Sequence, residues 1–188
     1  YISEMNNPSS SRPPNFELII LHFCSSGVEF VIIGGLAASI HGSSYVTVDV
    51  DFCYNRTPQN LECLARALTT IHAKLRSAPS ELPFRPDAAT LKAGLNFTFS
   101  TDLGDIDIFG EIAGLGTFAE VVKDSEELIL FGYPVRVLSL DGLIRAKRAT
   151  ARRKDLIIVP ELEAIRELRK EKEASEGNKK EERPDKGK

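Results

Sequence analysis

The spacing of apolar positions changes several times along the chain, and each change predicts a different element. A continuous apolar run at 30–33 predicts a buried strand, whereas alternating acidic and aliphatic positions at 47–52 and 105–112 predict strands with one polar face. After Pro58, apolar residues spaced three and four apart predict a helix that runs to about Arg76. Strands mixed with helices in this way predict a mixed α/β (α+β) sheet flanked by helices.

The remaining elements follow from the same spacing and from the turn residues. Further helices are predicted at 16–24, 36–40, 140–150 and about 160–170, and further strands at 95–100, 128–131 and 135–138. Ser139 is a suitable N-cap for the helix that follows it. Residues 77–94 include three prolines, and we expect them to form an irregular loop.

Composition divides the chain into one domain with a polar segment at each end. Residues 1–14 are polar and proline-rich, which predicts a flexible leader, and the charged residues 172–188 predict a disordered tail. The domain at 15–171 would hold a catalytic core at about 28–138 and C-terminal helices at about 139–171. With 24 basic and 27 acidic residues, the chain has no overall charge that favours nucleic acid.

The sequence also bears on where the protein resides. It has no secretory signal and no apolar run long enough to cross a bilayer. Its three cysteines include no C-x-x-C pair, and an odd count argues against a disulfide framework. We therefore expect a cytoplasmic protein without a membrane partner.

Two of the predicted strands carry paired carboxylates. Asp49 and Asp51 lie two residues apart on one strand, and Asp105 and Asp107 do so on another, so each pair projects from a single face. Carboxylates placed beside a phosphate-binding turn can hold divalent cations. A solvated strand face or a turn cap is the alternative for either pair alone, but the two pairs together favour metal–phosphate chemistry.

A glycine pair precedes the first acidic strand and is separated from it by a short predicted helix. Gly34 and Gly35 follow the apolar run at 30–33 and open a short helix, where backbone amides can cradle a phosphate. His41 ends this helix. It could act on substrate near the carboxylates, or it could cap the helix or pack in the core, and the sequence leaves both roles open.

Cationic side chains are concentrated in one segment near the C-terminal end of the domain. They are Arg145, Lys147, Arg148, Arg152, Arg153 and Lys154. A triphosphate bound through metal keeps negative charge, so a catalytic site needs cations opposite its carboxylates. Lys147 lies at the edge of the apolar stripe of its helix and could point into a cleft, whereas a solvated helix face is equally compatible with the sequence.

In this order, the motifs resemble those of the nucleotidyltransferase superfamily of the DNA polymerase β type. Within it, the chain looks most similar to the minimal nucleotidyltransferases grouped with AbiEii/AbiGii and MenT-type toxins, over about residues 16–170. The similarity lies in F-V-I-I-G-G-L-A-A-S-I-H-G (30–42), V-T-V-D-V-D-F (46–52), G-D-I-D-I-F-G-E-I (104–112) and L-I-R-A-K-R-A-T-A-R-R-K-D-L (143–156). The resemblance implies the nucleotidyltransferase fold.

The resemblance also implies an activity and its residues. A metal-dependent enzyme of this kind moves a nucleoside monophosphate from an NTP, such as ATP, to an acceptor hydroxyl. Asp49, Asp51 and Asp107 match the catalytic, metal-binding carboxylates, with Mg²⁺ or Mn²⁺ as cofactor. The nucleotide-binding positions that the resemblance implies are Gly34, Gly35, Lys147 and Lys154.

The acceptor and the biological role are open at this point. Toxin-like relatives imply a nucleic acid such as tRNA, or a protein, as acceptor and a cognate antitoxin as partner, and an antibiotic-type enzyme would share the mechanism. A catalytically inactive nucleotide sensor or partner-binding module is the alternative. It is motivated by Gly35, where many relatives carry serine, and by Tyr45, where arginine is usual. Asp105 could be a spare ligand, and Asp155 could orient a basic side chain.

Overall fold

A mixed β-sheet forms the centre of the fold. The computed structural model describes residues 14–76, 78–79 and 84–181, without the side chains of Lys154 and residues 176–181. Its strands are β1 (Phe30–Ile33), β2 (Asp49–Tyr54), β3 (Lys74–Leu75), β4 (Asn96–Thr101), β5 (Gly104–Phe109), β6 (Glu111–Ile112), β7 (Gly116–Thr117), β8 (Ser125–Leu130) and β9 (Tyr133–Leu138). Seven of them form one sheet in the order β3-β4-β5-β2-β1-β9-β8, and β6 and β7 form a separate hairpin.

Helices flank this sheet and connect its strands. They are α1 (Phe16–Ser25), α2 (Gly34–Ile40), α3 (Pro58–Thr70), α4 (Ala88–Ala93), α5 (Phe118–Lys123), α6 (Leu140–Thr150) and α7 (Arg153–Glu181). Ser139 caps α6 by accepting a hydrogen bond from the Gly142 amide, as the sequence predicts. Among the described residues, no helix combines the length and the apolar character needed to span a bilayer.

The two faces of the central strands have opposite chemistry. In β5, Ile106 and Ile108 are fully buried, whereas Asp105 and Asp107 alternate with them on the other face. Burying each isoleucine contributes about 1.5–3 kcal/mol, so the apolar face fixes the strand and thereby the direction of its carboxylates. β5 pairs in parallel with β2, and β2 pairs antiparallel with β1.

The mixed α/β fold predicted from the sequence is confirmed, but one helix was predicted too long. The helix predicted from Pro58 to about Arg76 ends at Thr70, and after a short turn Lys74–Leu75 form the edge strand β3. His72 adopts a left-handed φ of +50°, which cannot continue a helix. The Lys74–Leu75 segment instead pairs with β4.

Three further segments differ from the prediction. Residues 77–94, which were predicted to form an irregular loop, contain α4, whose first turn is capped by the side chain of Asp87. The last helix begins at Arg153, earlier than predicted, and residues 172–181 continue it, in keeping with their helix-forming Glu, Lys and Ala. The short helix α5, whose N-terminus carries a Thr117–Glu120 capping box, was not predicted.

Some predictions fall outside the described residues. Residues 1–13 of the proposed leader, Ser77, residues 80–83 of the proline-containing segment and residues 182–188 of the tail belong to this group. The flexible leader and the end of the disordered tail therefore stay predictions.

Candidate active site

Three carboxylates meet on the polar face of the sheet. The parallel register of β2 and β5 places Asp51 opposite Asp107 and Asp49 opposite Asp105. One oxygen from each of Asp49, Asp51 and Asp107 lies within 4.8 Å of the other two. The structure therefore brings the three predicted metal-binding carboxylates together from two strands that are distant in sequence.

The surroundings of Asp51 oppose a full negative charge. Burial is the largest cause, followed by the charges of Asp49 and Asp107, and together they raise the pKa of Asp51 from 3.8 to about 7. A backbone hydrogen bond from Gly35 and the charge of Lys147 act in the opposite direction. Carboxyl groups this close cannot all ionise without a compensating charge. Their oxygen donors and mutual repulsion fit a divalent cation such as Mg²⁺ or Mn²⁺.

Gly34 allows the glycine turn to lie directly against this cluster. Its φ of +62° is in the left-handed region, which strains residues that carry a side chain. A Cβ at this position would lie 1.9 Å from Oδ2 of Asp51. No side chain therefore fits at Gly34 unless the carboxylate moves.

We expect Gly34→Ala to destabilise the protein by about 1–3 kcal/mol more than Gly27→Ala, because a steric clash is added to the backbone strain. Gly27 is the matched control, since its φ is +69° and a Cβ there would meet nothing within 4 Å. Urea denaturation of both variants measures the difference. Equal losses of stability would contradict the close contact between the turn and Asp51.

Gly35 leaves room for the side chain of Thr47. A Cβ on Gly35 would lie 2.7 Å from both Cβ and Oγ1 of Thr47. The Thr47 hydroxyl donates a hydrogen bond to Oδ1 of Asp49 at 2.9 Å and so orients that carboxylate. Serine or any other residue with a side chain at position 35 would collide with Thr47, which gives a steric reason for the glycine here.

The basic side of the site is formed by α6 and the start of α7. Nζ of Lys147 lies 2.8 Å from Oδ1 of Asp155, and both side chains are largely buried. Thr150 donates a second hydrogen bond to Asp155 at 3.1 Å. Asp155 thus holds Lys147 in place, whereas the exposed Arg148 pairs with Glu163 on α7. The side chain of Lys154 lies outside the described residues.

One cavity contains most of these groups. Its volume is about 470 Å³, and its lining includes the glycine turn, the three carboxylates, Lys147, Arg152 and Asp155. Tyr45 and Val46 line its mouth and are 44% and 82% exposed, respectively. The cavity joins an acidic cluster to cations and a glycine turn, an arrangement that can accommodate metal ions and phosphate groups.

A solved structure is similar to this protein in its fold. LnuA, a lincosamide antibiotic adenylyltransferase solved with lincomycin, matches with a TM-score of 0.52 at 14% identity, over 79% of this chain and 94% of LnuA. The chain has a nucleotidyltransferase fold. At 14% identity, the similarity to LnuA shows the fold alone.

Weaker structural matches include the antibiotic-resistance factor ANT(2'')-Ia, with a TM-score of 0.48 at 14% identity over 88% of this chain and 97% of that protein. An antigenic nucleotidyltransferase-like protein from Paracoccidioides brasiliensis has a TM-score of 0.48 at 14% identity, covering 82% and 78% of the two chains. No protein-family model and no curated protein sequence matches the chain. The finer resemblance to AbiEii/AbiGii and MenT-type toxins stays a prediction.

The nucleotidyltransferase fold of this chain includes an arginine that sequence reasoning missed. Arg76 donates hydrogen bonds to Asp105 and Asp107 from a position just after β3. The sequence predicted Arg76 to lie at the end of a long helix, and a helix would not have directed its side chain to these aspartates. The alternation of apolar Ala73 and Leu75 with basic neighbours is the local signal for a strand.

His41 does not line the cavity. It is 3% exposed, caps the end of α2, and its Nε2 lies 2.7 Å from the backbone oxygen of Leu138. Burial is the main cause that lowers the pKa of His41 below 6.5, which favours the neutral ring. Because a carbonyl oxygen can only accept, the Nε2–H group donates to Leu138. Its position favours the structural alternative over catalysis.

Proposed function

We propose that this protein transfers a nucleoside monophosphate from an NTP to an acceptor hydroxyl. The acceptor hydroxyl releases its proton to solvent and its oxygen forms a bond to the α-phosphorus. The bond from that phosphorus to the oxygen that bridges the α- and β-phosphates breaks, and pyrophosphate leaves. The observation that carries the proposal is the cluster of Asp49, Asp51 and Asp107 in the cavity that the glycine turn and Lys147 also line.

Asp49, Asp51 and Asp107 would hold Mg²⁺ or Mn²⁺, which supplies charge stabilisation to the phosphates and lowers the pKa of the acceptor hydroxyl. Thr47 orients the Asp49 carboxylate, and the Gly35 amide orients that of Asp51. The strand register keeps Asp107 beside Asp51, where it can orient the acceptor hydroxyl. Transfer of this kind depends mainly on positioning and electrostatics, which these contacts provide.

Lys147 would bind the β- or γ-phosphate of the NTP. It lines the same cavity as the carboxylates, it is held by Asp155, and its positive charge acts to lower the pKa of Asp51. Lys154 is a second nucleotide-binding candidate, on the basis of the family resemblance alone.

We expect Lys147→Ala to weaken NTP binding by about 1.5–3 kcal/mol, the range for a hydrogen bond to a charged group. Arg148→Ala is the matched control, because it removes the same charge one residue along the helix from a side chain that pairs with Glu163. Calorimetric titration with Mg²⁺-ATP compares the two variants. Equal weakening that disappears in high salt would indicate a diffuse basic patch instead of a positioned cation.

Incubation with α-labelled NTPs and Mg²⁺ tests the function directly. Cellular RNA, protein extract and small hydroxyl compounds including lincomycin serve as acceptors, and mass spectrometry locates any added monophosphate. Label transferred to one acceptor class identifies the substrate. A tRNA or protein acceptor, together with growth arrest relieved by a second protein, would support the toxin role that the resemblance implies.

The alternative is a nucleotide sensor or partner-binding module without catalysis. The observation that favours it is Tyr45, which occupies the cavity mouth at a position where an arginine is usual. NTP binding without transfer to any acceptor in the same assay would support the sensor.

A further inference from the structure

Arg76 joins the edge of the sheet to the acidic cluster. Its backbone amide donates to the carbonyl oxygen of Thr98 at 2.9 Å. Arg76 therefore lies beside β4, the strand that pairs with β5. Its side chain reaches across β4: Nη1 lies 2.9 Å from Oδ2 of Asp105, and Nη2 donates to Oδ1 of Asp107. The arginine side chain is 29% exposed, and those of the two aspartates are 16% and 14% exposed.

The two aspartates that Arg76 contacts differ in their relation to the acidic cluster. Asp107 belongs to the cluster whose oxygens lie within 4.8 Å of one another, whereas Asp105 does not. Asp105 therefore serves as a second anchor for the planar guanidinium group, which can donate from two nitrogens at once. A guanidinium held by two anchors fixes the Asp107 carboxylate more firmly than a single ion pair could.

The same contact places a permanent positive charge beside the candidate cation site. Burial opposes the charge of Arg76, but the hydrogen bond to Asp105 and the charges of the neighbouring carboxylates outweigh it and raise the pKa of Arg76. A guanidinium group is not deprotonated in proteins, so Arg76 stays positively charged. A bound cation would be repelled by this charge and would share Asp107 with it.

We propose that Arg76 is a positioning residue with two opposed effects. It holds Asp107 in the orientation that transfer requires, and it weakens cation binding as long as no nucleotide supplies further ligands. This inference rests on the proposed function. It predicts that removing the arginine strengthens cation binding and slows transfer. If the arginine only tied β3 to the sheet, its removal would not strengthen cation binding.

Titration of the nucleotide-free protein with Mn²⁺, followed by electron paramagnetic resonance, tests the proposal. We expect Arg76→Gln to bind Mn²⁺ about tenfold more tightly, because one adjacent positive charge is removed. We also expect its kcat for transfer to fall about tenfold to a hundredfold through misplacement of Asp107. Lys74→Gln is the matched control, since it removes the same charge from an exposed β3 residue and should change neither quantity more than twofold.

Two more variants separate charge from geometry. Arg76→Lys keeps the charge but loses the two-nitrogen contact, so Mn²⁺ affinity should stay near that of the wild type while kcat recovers only in part. Asp105→Asn leaves Arg76 with Asp107 alone, so Mn²⁺ affinity should fall. If Arg76→Gln does not fold, Arg76→Lys keeps the proposal testable, because an arginine that only tied β3 to the sheet could be replaced by lysine without any loss of kcat.

The outcomes distinguish this inference from the proposed function. If the wild type binds Mn²⁺ and transfers nucleotide, but Arg76→Gln only lowers the melting temperature and leaves Mn²⁺ affinity unchanged, Arg76 is merely a strand tie and the inference is overturned. If neither the wild type nor Arg76→Gln binds Mn²⁺ and the wild type transfers no nucleotide, the proposed function fails together with it.

Discussion

Asp49→Asn and Asp51→Asn are each expected to reduce nucleotidyl transfer by about a thousandfold or more. Both carboxylates belong to the cluster whose oxygens lie within 4.8 Å of one another. Losing one such ligand removes several kcal/mol of charge stabilisation from the transition state, which corresponds to roughly three powers of ten in rate. Single-turnover transfer from α-labelled ATP at saturating Mg²⁺ measures the effect.

The control is Asp102→Asn, which removes the same charge from an exposed residue that pairs with His72 instead of lining the cavity. We expect its rate to stay within about threefold of the wild type, as for surface substitutions away from special features. Calorimetric titration with Mg²⁺-ATP completes the comparison. Equal binding heats for the wild type and the Asp49 and Asp51 variants, with transfer retained, would exclude these carboxylates from the site.

Asp51→Asn is also expected to stabilise the metal-free protein by about 2–4 kcal/mol above pH 8. This range follows from the raised pKa of Asp51, since each pKa unit corresponds to about 1.36 kcal/mol. In the folded wild type, burial and then the neighbouring carboxylates hold the pKa of Asp51 at about 7, against 3.8 ordinarily. The folded state therefore binds the proton more tightly, so this contribution to stability is complete below pH 3.8 and is lost as the pH rises through 7. The asparagine variant avoids this loss because it carries no charge.

Urea denaturation from pH 4 to pH 9 in the presence of a chelator measures this difference. The advantage of Asp51→Asn should grow across the pH range and should shrink when Mg²⁺ is added, because a cation that binds the folded wild type stabilises it. The matched variant Asp102→Asn, at an exposed position, should show no such trend. If Asp51→Asn is less stable than the wild type at pH 8, the ionised cluster does not destabilise the folded protein.

The chemistry of the site was accessible from the sequence because it is encoded locally. Alternation along a strand puts Asp49 and Asp51 on one face, and two adjacent glycines between a strand and a helix indicate a close backbone approach. The same local periods predicted the mixed α/β fold, which the structure confirms. After Thr70, a helical spacing through Ile71 and Leu75 competes with the strand-like alternation at 73–76, and pairing with β4 decides in favour of the strand.

By itself, the sequence determined which residues could form an acidic face, a glycine turn and a basic segment. Only the tertiary structure decided how they combine. Asp105 and Asp107 are equivalent in the alternating pattern, and the register between β2 and β5 alone places Asp107 opposite Asp51. Contacts such as that of Arg76 with Asp107 join segments distant in the chain. Strand register and the reach of long side chains depend on the packing of the whole domain, which no local period encodes.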